Sequence, residues 1–94
     1  MQTVYAVAIV SGDVQGRGFR AACQNVLRTF GVKGYAINRP DGTVTVRCFG
    51  DPIGVQSVLD ALPTANESVN HVLSTVILSD QMLIQQPPRT INSN

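Results

Sequence analysis

Short apolar runs with strand character alternate with two helical stripes along the 94-residue chain. A Pro-Asp-Gly turn joins the second and third of those runs. Together these features predict an α+β domain of order β-α-β-β-α-β, the ferredoxin-like split βαβ plan, with two helices on one face of an antiparallel sheet. The length suits one domain, and 44% hydrophobic residues are enough for a compact core without disulfides or metals.

Val4 to Val10 is unbroken apolar sequence bounded by Ser11-Gly12, as expected of a central strand. From Phe19 the apolar residues fall at Phe19, Cys23, Val26, Leu27 and Phe30, a helical stripe that Gly31 terminates. Val32 to Asn38 and Thr43 to Phe49 then flank Arg39-Pro40-Asp41-Gly42, which reads as a hairpin turn. In the second of these runs Val44, Val46 and Cys48 alternate with Thr43, Thr45 and Arg47, giving one apolar and one polar face.

Asp51-Pro52 supplies an N-cap and a proline at the first helical position. Val55, Val58, Leu59 and Leu62 form the second helical face, which Pro63 ends; residues 64–70 read as a loop. Val72 to Leu78 is the fourth strand and Met82 to Gln85 a short additional one. The domain is expected over residues 1–86, followed by a polar tail over 87–94 with little to bury, expected to be disordered.

Only 14% of residues are charged and the net charge is +1, which argues against a general nucleic-acid binder. No secretory signal or membrane-spanning stretch is visible, so a cytoplasmic protein is the expectation; a monomer is expected as well. Cys23 and Cys48 fall on the apolar helix stripe and the apolar strand face, so two reduced core thiols are expected. A bridge between them remains open if their Cα atoms approach closely enough.

The segment Gly12-Asp13-Val14-Gln15-Gly16-Arg17-Gly18-Phe19-Arg20 lies between the first strand and the first helix. It fails the P-loop spacing. Gly16 to Ala21 fits a dinucleotide-type G-x-G-x-x-A, but the following hairpin and the short chain leave no doubly wound sheet to host it. Arg17-Gly18-Phe19 begins like an RNA-recognition octamer, yet the positions that need aromatics hold Ala21 and Gln24 on a helix. What fits is a cradle for a small oxyanion: glycine backbone N–H groups, the positive end of a helix, and the donor fork of Arg20. A plain strand-to-helix connection with a solvated arginine explains the segment equally well when it is read alone.

The hairpin stretch Gly34-Tyr35-Ala36-Ile37-Asn38-Arg39-Pro40-Asp41-Gly42-Thr43-Val44, with Gly50 beyond it, supplies a second pattern. The two together resemble the acylphosphatase motifs G-x-V-Q-G-V-x-F-R and G-[FYW]-[AVC]-[KRQAM]-N-x3-G-x-V-x5-G, in order and over about residues 4–86. The resemblance implies hydrolysis of a carboxyl-phosphate anhydride to a carboxylate and inorganic phosphate, without metal or organic cofactor. Arg20 and the backbone of Gln15, Gly16, Arg17, Gly18 and Phe19 would bind the substrate phosphate, and Asn38 would orient the attacking water. An anion-binding or regulatory domain on the same fold is the alternative. Arg17 and Ile37 depart from the family's residues, and Asp13 brings a negative charge to the loop. His71 is expected to be structural, Arg39 and Asp41 to be solvated turn residues, and Tyr5 and Tyr35 to pack on the sheet.

Overall fold

The structure is a computed structural model that describes residues 3–16 and 18–78. The expected short strand at Met82 to Gln85 and the polar tail lie outside the described residues. The element order is β1 (Val4–Gly12), α1 (Phe19–Thr29), β2 (Lys33–Asn38), β3 (Val44–Gly50), α2 (Pro52–Ala61), a 3-10 turn (Leu62–Thr64) and β4 (Val69–Leu78). The four strands form one sheet in the order β2-β3-β1-β4, and every neighbouring pair is antiparallel. The ferredoxin-like reading holds.

Strand alternation divides the sheet into two faces. Val4, Ala6, Ala8 and Val10 from β1 and Val44, Val46 and Cys48 from β3 are buried against the helices. Phe19, Cys23 and Leu27 from α1 meet them, with Val55, Val58 and Leu59 from α2 and Leu62 beyond it. Both cysteines are free and buried in this layer. Burial raises both thiol pKa values to about 11, and the nearby Cys48 adds to the effect at Cys23.

The caps follow the sequence. The Asp51 carboxylate accepts from the Gly54 N–H at 3.2 Å, and Pro52 opens α2. Helix α1 ends in a Schellman motif, with Val32 N–H bonded to the Leu27 carbonyl and Gly31 N–H to the Arg28 carbonyl.

β1 runs on through Gly12, β2 starts one residue later and β3 is shifted by one residue from the sequence reading; two larger differences lie at the end of α2 and the start of β4. Pro63 lies within the 3-10 turn that continues α2; having no N–H to donate, it fits an early position of that turn. β4 starts at Val69 rather than Val72, because Gly12 pairs with Val69 across a register shift and Ser11 with His71. The exposed, polar Asn70 and His71 lie on an edge strand and gave no apolar signal.

Candidate active site

The β1–α1 loop, the first turn of α1 and the β2–β3 hairpin all lie at one end of the sheet, because Val10, two residues before the end of β1, pairs with Val44 at the start of β3. Val14 is fully buried and anchors the loop in the core. Gly16 and Gly18 hold φ values of 79° and 77°, a left-handed conformation that side-chain-bearing residues rarely adopt. Gly18 is the N-cap of α1 and supplies no side-chain cap; its carbonyl accepts from Ala22 N–H at 3.0 Å. The N–H groups of Phe19, Arg20 and Ala21 therefore open the helix without an intrahelical acceptor. Phe19 is buried, so the helix start is held from beneath. Arg17 lies outside the described residues.

Gln15 has a role that its place in the motif does not announce. Its side-chain amide donates to the carbonyls of Arg39 at 2.6 Å and Thr43 at 2.8 Å. Both amide hydrogens thus tie the loop to the hairpin turn. The turn is braced from within: Arg39 N–H donates to the Thr43 carbonyl at 2.8 Å and Gly42 N–H to the Arg39 carbonyl at 3.0 Å. The Asp41 carboxylate accepts from the Thr43 hydroxyl at 2.6 Å and the Thr43 N–H at 3.0 Å. The Thr43 hydroxyl chiefly, with its N–H and the charge of Arg39, lowers the Asp41 pKa. Arg39 and Asp41 are both exposed, as expected of turn residues.

Asn38 is the last residue of β2 and is exposed. It pairs with Val44, so it shares the helix side of the sheet with Ala36, about 7 Å along the strand. Arg20 is exposed in the first turn of α1 and, with Ala21, Gln24, Tyr35 and Ala36, borders a depression of about 300 Å³. Arg20 and Asn38 therefore belong to the same side and the same end of the sheet. A charged donor fork, an amide and free helix N–H groups suit a tetrahedral oxyanion with a water beside it.

Ile37 pairs with Thr45 and belongs to the opposite face, so this departure from the motif points away from Asn38. His71 is exposed on β4, the other edge strand. Tyr5 is buried and accepts a hydrogen bond from the Arg47 guanidinium, whereas Tyr35 is exposed. Among the described residues no three His, Cys, Asp or Glu side chains come together as a metal site.

The acylphosphatase family model matches residues 6–86. The chain belongs to the acylphosphatase family. An acylphosphatase of Yersinia pseudotuberculosis is 43% identical over 60 residues, 64% of this chain and 65% of that relative. That match thus spans a little under two thirds of the relative's length. An acylphosphatase of Hahella chejuensis is 36% identical over 81 residues, covering 86% of this chain and 83% of the relative. Among solved structures, the acylphosphatase of Bacillus subtilis superposes with a TM-score of 0.73 at 29% identity, over 79% of this chain and 84% of that one. The acylphosphatase fold therefore covers the four strands and both helices described above.

Proposed function

We propose that the protein hydrolyses acyl phosphates, with Arg20 and the β1–α1 loop holding the phosphate and Asn38 orienting the water. Membership of the acylphosphatase family supports the reaction class. The observation that carries the residue roles is the Gln15 tether. It joins the glycine loop to the turn directly after Asn38, so the anion cradle and the water-orienting amide are held by one braced unit.

An amide does not titrate in the working range, so Asn38 orients the water and takes no proton from it. The carboxylate leaving group is good, and the protein's task is chiefly positioning and charge stabilisation. Water attacks phosphorus as the bond from phosphorus to the carboxylate oxygen breaks, and a phosphoryl oxygen receives the water proton. An acyl phosphate dianion and water thus give a carboxylate and dihydrogen phosphate. Arg20, together with the backbone N–H groups of the loop from Gln15 to Phe19, stabilises the charge on the phosphoryl oxygens. The same reading takes the enzyme to be a cytoplasmic monomer that needs no metal. The two unbridged thiols support a reducing compartment.

Phosphate release from benzoyl phosphate, measured across pH without added metal, tests this reading. The expected rate follows ionisation of the substrate. A rate abolished by removing one carboxylate, with the fold intact, would identify a protein base and contradict it.

A further inference from the structure

The sheet face turned away from the helices carries a second depression, of about 320 Å³, at the hairpin end. Val7 and Ile9 form its apolar part, Thr45 and Arg47 stand beside them on β3, and the turn residues Arg39, Asp41 and Thr43 close one side. Strand register separates it from the candidate active site. Asn38 pairs with buried Val44 on the helix side, whereas Ile37 with Thr45 and Tyr35 with Arg47 occupy this opposite face.

Arg47 is half-buried and preorganised. One of its guanidinium N–H groups donates to the hydroxyl of buried Tyr5, and an arginine has four more to offer. The residues paired around it on this face are Tyr35, Val7 and Thr75, with Ile37, Thr45, Ile9 and Leu73 in the next row. Neither row contains a carboxylate. Among the described residues Asp41 is the only acid in the lining; its carboxylate is bonded to Thr43 and lies close enough to Arg39 for that charge to act on it. Arg39 is thus offset by Asp41, while Arg47 has no acid beside it in the lining.

We infer that this depression binds a small organic carboxylate, its head group on the Arg47 fork and its apolar body over Val7 and Ile9. A planar carboxylate matches the two parallel N–H groups of a guanidinium. One uncompensated positive charge suits a monoanion better than a phosphate dianion. The volume lies at the small end of ligand pockets, which run from about 300 to 1,000 Å³. The product of the proposed reaction belongs to this ligand class; identifying the natural ligand with that product rests on the proposed hydrolysis, whereas the binding itself does not.

Titration of the nitrogen-15-labelled full chain with benzoate, benzyl alcohol and inorganic phosphate, followed by amide shifts, tests the inference without requiring turnover. Benzoate is expected to shift Val7, Ile9, Thr45 and Arg47 saturably, with the neutral alcohol at least tenfold weaker and phosphate shifting Gly16, Gly18 and Arg20 instead. Arg47→Gln should weaken benzoate at least tenfold. Tyr5→Phe, which keeps the guanidinium and removes only its anchor, should weaken it by a smaller factor. Benzoate shifts confined to the loop, equal binding of the alcohol, phosphate acting equally on the open face, or undiminished binding by Arg47→Gln would each overturn it. Failed hydrolysis of benzoyl phosphate, by contrast, would count against the proposed function and leave these shifts standing.

Discussion

The two faces of this sheet are built from the same strands and behave as different materials. On the helix side, β1 and β3 present Val4, Ala6, Ala8, Val10, Val44, Val46 and Cys48, all at most 1% exposed. On the other side stand Ile9 at 44% exposed, Ile37 at 38%, Phe49 at 42% and Leu73 at 63%, interspersed with Thr45 and Arg47. The covered face fixes the fold, since each buried large apolar side chain contributes about 1.5–3 kcal/mol. The open face has no such duty and can carry polar groups such as Arg47. The candidate active site lies at the end of the covered face, where buried Phe19 and Val44 place the helix start and strand end that carry Arg20 and Asn38.

Substitutions separate the faces most sharply by stability. Phe19→Ala on the covered face should cost about 3–5 kcal/mol in denaturant unfolding, a large part of the roughly 5–15 kcal/mol that stabilises a domain. Leu73→Ala on the open face should stay within about 0.5 kcal/mol. Equal losses would erase the distinction. At the site, Asn38→Ala should lower kcat roughly 10²–10³-fold without unfolding the protein, as loss of one fixed transition-state donor does. Arg20→Ala should act mainly by raising KM for the acyl phosphate.

Gln15→Ala probes the tether between loop and turn. The Arg39 and Thr43 carbonyls keep their bonds within the turn, so losing the Gln15 amide should cost about 0.5–1.5 kcal/mol and raise KM, since the cradle loses its brace. Unchanged KM would show that the loop holds its shape unaided.

The smallest effect concerns the thiols of the covered face. Their pKa values stand at about 11 against an ordinary 9.0, so their contribution to stability is complete below pH 9. It is lost as pH rises through about 11, because the unfolded chain gives up those protons first. At pH 8 both thiols should react with a disulfide reagent only after denaturation; fast reaction in the native protein would contradict their burial.

Much of the fold was legible because local and tertiary signals agree. The Asp51-Pro52 start of α2, the Gly31 stop of α1 and the hairpin at residues 39–43 each depend on a few adjacent residues. The start of β4 was not legible, because pairing with Ser11 and Gly12 rather than any apolar pattern extends that strand. Gln15 shows the same limit within the site. Its motif position pointed to the loop, but its amide partners lie 24 and 28 residues away and depend on how the hairpin docks. The Arg47 depression was hidden for a similar reason: the register of three strands and the Tyr5 hydroxyl create it.

The central claim is that the braced loop and Asn38 form one hydrolytic site, and the most direct measurement compares benzoyl phosphate turnover by wild type and Asn38→Ala at equal folded concentration. Wild-type turnover that falls at least 100-fold in the variant, about 2.7 kcal/mol in the barrier, is the predicted result. Wild-type turnover that Asn38→Ala retains in full, or a folded wild type with none, would contradict it.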